Sequence, residues 1–424
     1  VTRRTAAAGL ALAGVVAGLL PAAGSAAAPV RPACHEIVVS PSFGRDGTAF
    51  CVRVLSANGF SLTLFRTTDR GRTWTKPAAT GLVWDSTTPF STQPQLSPAY
   101  GEDHRLVIAT NTGLYASVDG GTTFTVVDPR MHAAGQDNPA VYAGGAGLLA
   151  PALPGRRVFA AEVGLTSARV DLATGLREPV SGAASQTMVW FVVPNAADPG
   201  APVLAVTRRQ PDQSKPEIVD TLWSCTDDLA CATQLGSLPL GVRTERFWWV
   251  SVGRGRAALV AVGVHDKKPE AYASLDRGAT FARWHGLDAL LAGAARYSFM
   301  PSVALAFNAA LPGRLFARIV MLPSVPYDPR QQPAEQLFRS DDGGTTWRRV
   351  GYQLDFDQPG RRGTLPWNRG AFGYTEDPAA FALAADGRLL VPAARGDENG
   401  TVPGSESVYC SLDGGRSWAV LCPR

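Results

Sequence analysis

Five segments of this chain carry one pattern, Ser/Thr-x-Asp-x-Gly-x-Thr/Ser-aromatic, and no other feature restricts the fold as much. They are TTDRGRTW from Thr67, SVDGGTTF from Ser117, SLDRGATF from Ser274, SDDGGTTW from Ser340 and SLDGGRSW from Ser411. The pattern suits a hairpin turn. The Asp carboxylate can accept backbone N–H groups of the turn, and Gly supplies the positive φ that other residues resist. The hydroxyl residue ties the strand ends, and the closing Trp or Phe anchors the hairpin in a core. Two degenerate copies, from Ala168 and Ser224, fill the gap between Ser117 and Ser274. The first keeps Asp171 and Gly175; the second keeps Ser224, Asp227 and Asp228, with Cys225 and Cys231 in place of the lost Gly and aromatic. Units repeating at this spacing imply one per blade of a propeller.

A second motif interleaves with the first. An apolar run, a turn and another apolar run begin at Ile37, Gln95, Leu148, Phe191, Trp248, Val303 and Phe381, each ahead of one Asp segment. These read as the hairpin joining the first two strands of a blade, with the Asp segment joining the third and fourth. The expected fold is all-β, a seven-bladed β-propeller of four-stranded antiparallel blades, with six or eight blades as alternatives. All four strands of each blade fall in sequence order. Ring closure is then left to cysteine bridges, residues 29–35 or side-chain packing.

The Asp segments resemble the Asp box, or bacterial neuraminidase repeat, of sialidases, sortilin-type receptors and photosystem assembly factors. The resemblance implies a structural role for Asp69, Asp119, Asp276, Asp342 and Asp413. A sialidase would also need three arginines around a carboxylate, a Tyr–Glu nucleophile pair, an Asp acid/base and an early Arg-Ile-Pro motif. Residues 37–50 hold only Arg45, and the nearest match, Phe316-Ala-Arg-Ile-Val, lacks the Pro. A non-sialidase member is the expectation.

The chain starts as an exported protein does. Arg3-Arg4 precede an uncharged apolar run over residues 6–20, then Pro21 and small residues through Ala28. Residues 1–28 read as an export signal, by the Sec or the twin-arginine route, and 29–424 as one propeller domain. Val1 fits a bacterial GTG start, and the expected address is secreted or cell-envelope. A membrane anchor is the rival, but the run is shorter than the roughly 20 residues of a span. Six cysteines agree with an oxidising destination and form three local pairs, Cys34–Cys51, Cys225–Cys231 and Cys410–Cys422. A bridge from Cys34 to Cys410 or Cys422, locking the ring, is the alternative. No CxxC metal pattern occurs, and a net charge of +4 is too small for a nucleic-acid binder.

In this topology the first-to-second and third-to-fourth turns share one end of the propeller. The second-to-third turns and the blade links share the other, with long loops at 321–336, 351–379 and 394–406. Loops on a rigid scaffold are where binding residues gather. Expected ligand-binding residues at that end are Trp84, Asp85, Arg243, Arg246, His265, Asp266, Tyr327, Trp367 and Arg369. Glu245, Asp328, Tyr374 and Glu376 are the catalytic candidates if a hydrolase is present. Arg243 to Trp249 reads either as anion recognition by the Arg pair or as alternating Trp packing. Asp397-Glu-Asn-Gly reads as a polar turn or a calcium loop. No other cofactor is expected. The leading expectation is a non-catalytic propeller binding a glycan or a secreted or surface protein. The alternative is a glycoside hydrolase using carboxylates on the same face.

Overall fold

The computed structural model describes residues 36–40, 42–55, 61–84, 94–97, 99–110, 112–129, 157–160, 168–171, 176–179, 189–193, 203–209, 218–226, 230–253, 256–266, 268–295, 302–308, 310–321, 334–351, 381–393, 396–397, 400–401 and 407–420, with Pro32, Thr174 and Cys422 as single positions. Within them the apolar runs pair into antiparallel sheets that follow one another along the chain. The first holds Glu36–Val39, Ala49–Leu55 and Ser61–Thr67; the second holds Gln95–Leu96, Leu106–Thr110, Gly113–Ser117 and Thr125–Asp128. Arg157–Ala160, Ala168–Asp171 and Arg177–Pro179 make the third. Val189–Val193, Val203–Arg209, Val219–Cys225 and Thr233–Ser237 make the fourth, and Arg243–Gly253, Arg256–His265, Lys268–Ser274 and Ala282–Arg283 the fifth. The sixth comprises Ser302–Phe307, Leu315–Met321, Ala334–Ser340 and Arg348–Gly351. Ala382–Leu383, Leu389–Ala393, Ser407–Ser411 and Ala419–Val420 complete the seventh.

Among the described residues five sheets therefore have four strands and two have three, all in sequence order. In the first sheet the fourth position shrinks to one bridge, Arg66 to Thr75. The run expected to open the third sheet, from Leu148, lies outside the described residues. A small hairpin, Gly396–Asp397 with Gly400–Thr401, interrupts the seventh, so Asp397-Glu-Asn-Gly forms its turn. The first strands of the fourth to seventh sheets, and of the first, lie side by side in turn and line the inside of the ring.

The Asp segments fold alike. Thr67 Oγ1 donates to Asp69 Oδ1 at 2.9 Å and accepts the Gly71 amide at 2.9 Å. Asp69 also accepts the Arg72 and Thr73 amides at 3.0 and 2.9 Å and the Thr73 hydroxyl at 2.6 Å. Asp119 and Asp413 accept the equivalent four bonds. Asp276 and Asp342 take theirs from Ser274 and Thr280, and from Ser340 and Thr346. Gly344 shows why the glycine is required: its φ is +88°, and a Cβ there would lie 1.9 Å from Cζ2 of Trp284. In three of these turns a further backbone bond reaches the first-to-second turn of the same sheet: Arg70 to Gly47 at 2.9 Å, Gly120 to His104 at 3.1 Å and Gly343 to Gly313 at 2.9 Å. Both turn sets thus occupy one end.

These bonds titrate. Hydrogen bonds from the Thr280 hydroxyl and amide, then Ser274, hold the Asp276 carboxyl at about 2. Burial pushes Asp119 up, but bonds from Thr123, Ser117 and Thr122 together outweigh it and bring that carboxyl to about 2 as well. A carboxyl depressed in the fold below its unfolded value of roughly 3.9 stabilises above that value and loses the contribution as pH falls through the folded pKa. The melting temperature is expected to drop between about pH 4 and pH 2. Scanning calorimetry across that window should show a shallower drop for Asp276→Asn; an equal slope would discard this origin of acid sensitivity.

Adjacent sheets share apolar clusters. Phe50, Leu64, Tyr100 and Ile108 join the first and second; Leu204, Leu222, Trp249 and Leu259 join the fourth and fifth. Leu305, Phe316, Leu337 and Leu389 belong to the clusters that carry the ring on from the sixth sheet. An element that the strand repeats did not announce, helix His285–Ala295, fills the link between the fifth and sixth sheets, burying Leu287 and Leu291 in their common cluster. Cys225–Cys231 and Cys410–Cys422 are disulfides, which excludes a bridge from Cys34 to Cys410 or Cys422. Cys51 is disulfide-bonded too; Cys34 lies outside the described residues.

Candidate functional site

At the Asp-turn end, the turn carboxylates are occupied by their own turns, which leaves little acceptor capacity for a ligand. The opposite end is built differently. There the fourth and fifth sheets are pinned by one ion pair. Arg208 Nε and Nη2 donate to the two oxygens of Asp220 at 2.7 and 2.8 Å, and Nη2 also reaches the Thr244 carbonyl at 2.6 Å. Thr244 returns its amide to Asp220 at 3.0 Å. Asp220 has no exposed side-chain surface and Arg208 only a tenth. The pin holds the start of the inner strand Arg243–Gly253 in place.

That strand shifts register between Thr244 and Arg246, opposite Gly263 and Val262, so Glu245 is the extra residue. A bulge at a strand end re-aims the chain and recurs beside active sites. Arg243 and Arg246 flank it; the side chains of all three lie outside the described residues. Trp249 is buried between the fourth and fifth sheets and Trp248 packs against the cluster of the fifth and sixth, so alternation along the strand places the two Trp in two different cores.

His265 and Asp266 form the second-to-third turn of the same sheet. Asp266 is 91% exposed and adopts a left-handed φ of +48°; His265 is 36% exposed. The imidazole stands between two carboxylates, 4.0 Å from Asp266 through Nε2 and 3.4 Å from Glu270 through Nδ1. Beneath it lies a cluster that composition and motifs did not reveal. Glu270 accepts a short hydrogen bond from the Tyr272 hydroxyl and an ion pair from Arg283 at 2.5 Å. Arg283 Nε donates to Asp288 at 2.7 Å, and Asp288 accepts the Ala271 amide at 2.7 Å.

Burial pushes Glu270 upward, but Tyr272, Arg283 and His265 outweigh it and hold the carboxyl below its usual range. Burial, then the bond to Glu270, raises the Tyr272 phenol to about 12. Tyr272 is buried and donates to Glu270, and a Tyr–Glu pair is the composition that a sialidase uses. Desolvation lowers the Arg283 pKa, yet its bonds to Asp288 and Glu270 raise it overall. The cluster fixes an ionised carboxylate below a rim of exposed acceptor and imidazole groups.

Of the other expected site residues, Trp84 is half-buried against the cluster of the first and second sheets. Asp85, Tyr327, Asp328, Trp367, Arg369, Tyr374 and Glu376 lie outside the described residues. The structure thus brings together His265 and Asp266 with Glu270, and places Glu245 in the same sheet. Among the described residues no group of three or more His, Cys, Asp or Glu is arranged to hold a metal ion. No helix among them is long and apolar enough to cross a membrane.

No protein-family model matches the sequence, and no curated protein matches it. Solved structures do. A GH74 enzyme of Niastella koreensis superposes with a TM-score of 0.56 at 14% identity, over 93% of this chain and 54% of that one. Sqt1 of Saccharomyces cerevisiae gives 0.47 at 10% identity, over 94% and 86% of the two chains. An oligogalacturonate lyase of Vibrio parahaemolyticus gives 0.46 at 9% identity, over 92% and 86%. The chain spans about half the length of the Niastella koreensis enzyme. At 14% identity that likeness is one of architecture, and it agrees with the strand order: the chain folds as an all-β propeller of small antiparallel sheets.

Proposed function

We propose that this chain is an exported Asp-box propeller that engages carbohydrate at the end opposite its Asp turns. The observation that supports it is the register shift that makes Glu245 the extra residue of an inner strand, in the sheet whose exposed turn carries His265 and Asp266. Hydroxyl-rich ligands are held by carboxylate and imidazole groups of this kind, and glycoside hydrolysis needs two carboxylates roughly 5–10 Å apart across a cleft.

Hydrolysis is favoured over binding alone by the similarity in fold to a GH74 enzyme. In the hydrolytic reading Glu245 and Asp266 are the first candidates for the acid/base pair, with Asp328 and Glu376 next. Glu270 serves as an ionised positioning group beneath His265. A sialidase is disfavoured, because the Arg-Ile-Pro element is missing and the Tyr272–Glu270 pair is buried.

Reducing-end release from a panel of plant, microbial and host polysaccharides tests the proposal. Release that falls by about 100-fold or more in Glu245→Gln or Asp266→Asn is the expected result. Retention of a glycan without release would establish the binding-only reading. Neither release nor retention across the panel would remove carbohydrate from consideration and leave a protein partner.

A further inference from the structure

Among the described residues the first and seventh sheets share no strand, and the ring closes between them through side chains and turns. Ile37, Phe65 and Trp74 meet Ala382, Leu390 and Val408 there, with Cys51, Cys410 and Cys422 in the same cluster. The Cys422 amide donates to the Gly71 carbonyl at 3.1 Å, and Arg388 Nη1 donates to the Arg70 carbonyl at 2.7 Å. A Cβ added at Gly71 would lie 3.2 Å from the Cys422 sulfur, so the end of the seventh sheet sits directly on the first Asp turn.

Among the described residues the fourth strand of the seventh sheet is Ala419–Val420, paired with its neighbour at Cys410–Ala419 and Tyr409–Val420. So short a strand holds little by its own pairing. The Cys410–Cys422 disulfide supplies the tie, because it joins the third strand of the seventh sheet to the residue whose amide closes the seam. Every other seam joins sheets that follow directly in the chain; this one joins the seventh sheet to the first.

We infer that the Cys410–Cys422 disulfide is a redox latch on the ring. Oxidised, it keeps Ala419, Val420 and Cys422 in the seam. Both cysteines are buried, so a reductant acts through local opening there. Reduction then releases these residues from the first Asp turn and loosens the seam between the seventh and first sheets while the other seams remain shut. In that step a dithiol transfers two electrons and two protons to the disulfide. The Sγ–Sγ bond breaks to give two thiols, and the dithiol becomes a cyclic disulfide. Maturation would then be completed only in an oxidising compartment, whatever ligand the long-loop end takes.

Hydrogen exchange read by mass spectrometry tests the latch in the full chain. In the Cys410→Ala/Cys422→Ala double variant, amides of residues 66–75 and 408–420 are expected to exchange tenfold faster or more. Those of 256–274 should be unchanged, and the Cys225→Ala/Cys231→Ala variant should leave the seam as it was. Unchanged seam exchange, or equal acceleration in the fifth sheet, overturns the inference. If the double variant does not fold, native protein titrated with dithiothreitol provides the same comparison on molecules alkylated at Cys410 and Cys422. Protection lost first at the seam supports the latch, and protection lost everywhere at once refutes it.

Discussion

Trp74→Ala is expected to destabilise the protein by about 3–5 kcal/mol, the range for emptying a large aromatic site in a core. Trp74 ends the first Asp turn and has no exposed surface. It lies among Phe43, Ala49 and Phe65 of its own sheet and Ala384, Leu390 and Cys422 of the last, so its removal opens a cavity where the ring closes. Its indole Nε1 makes no hydrogen bond, which means that Trp74→Phe loses volume but no polar partner and should cost considerably less. Trp418, which ends the last Asp turn, is only half-buried and serves as the control. Urea denaturation with an unchanged slope is the measurement. A Trp74→Ala cost no larger than that of Trp418→Ala would show that the seam does not depend on this side chain.

The second large effect falls at the other end of the molecule. Asp220→Ala is expected to cost about 3–5 kcal/mol, since it leaves the Arg208 guanidinium nine-tenths buried without its carboxylate. The Thr244 amide loses its acceptor in the same change. Replacing both partners with apolar residues, Arg208→Met with Asp220→Leu, should recover much of the loss, because no buried charge then remains. The pair therefore distinguishes a cost of isolation from a cost of missing volume. A double variant as unstable as the single one would contradict that account. Because Thr244 directly precedes Glu245 in its strand, Asp220→Ala should also lower any glycan affinity measured below the unfolding transition.

The Asp turns were legible in the sequence because a tight turn dictates its residues. A carboxylate must meet two amides and a hydroxyl, a hydroxyl must meet the Gly amide, and a positive φ admits Gly. Each requirement appears as a letter at a set spacing. The interleaved hairpins gave the strand order, and from order alone the two ends of the propeller could be told apart. Local chemistry of this kind also made the Cys225–Cys231 and Cys410–Cys422 pairs readable.

Helix His285–Ala295 was not legible for a contrary reason. Its buried positions, Leu287 and Leu291, are one helical turn apart in a short Ala- and Gly-rich run, and they make sense only against the fifth and sixth sheets that enclose them. The long interval between Ser274 and Ser340 was the available hint. The cluster under His265 was hidden similarly. Glu270 and Tyr272 stand two residues apart on one strand face, but Arg283 reaches them through the register Tyr272 to Arg283, and Asp288 through that helix. Register between distant letters is set by packing, and no single-residue preference reports it.

The backbone bonds from Arg70 to Gly47, Gly120 to His104 and Gly343 to Gly313 have a bearing on how such a molecule can diversify. Each welds two neighbouring hairpins tip to tip, so an added residue in either tip breaks a bond that composition cannot replace. Growth by insertion is therefore disfavoured at these three pairs of tips, which leaves the opposite end as the place for added length. Grafted loops or reporter domains should be tolerated with the same one-sidedness, better at the opposite end than in these tips.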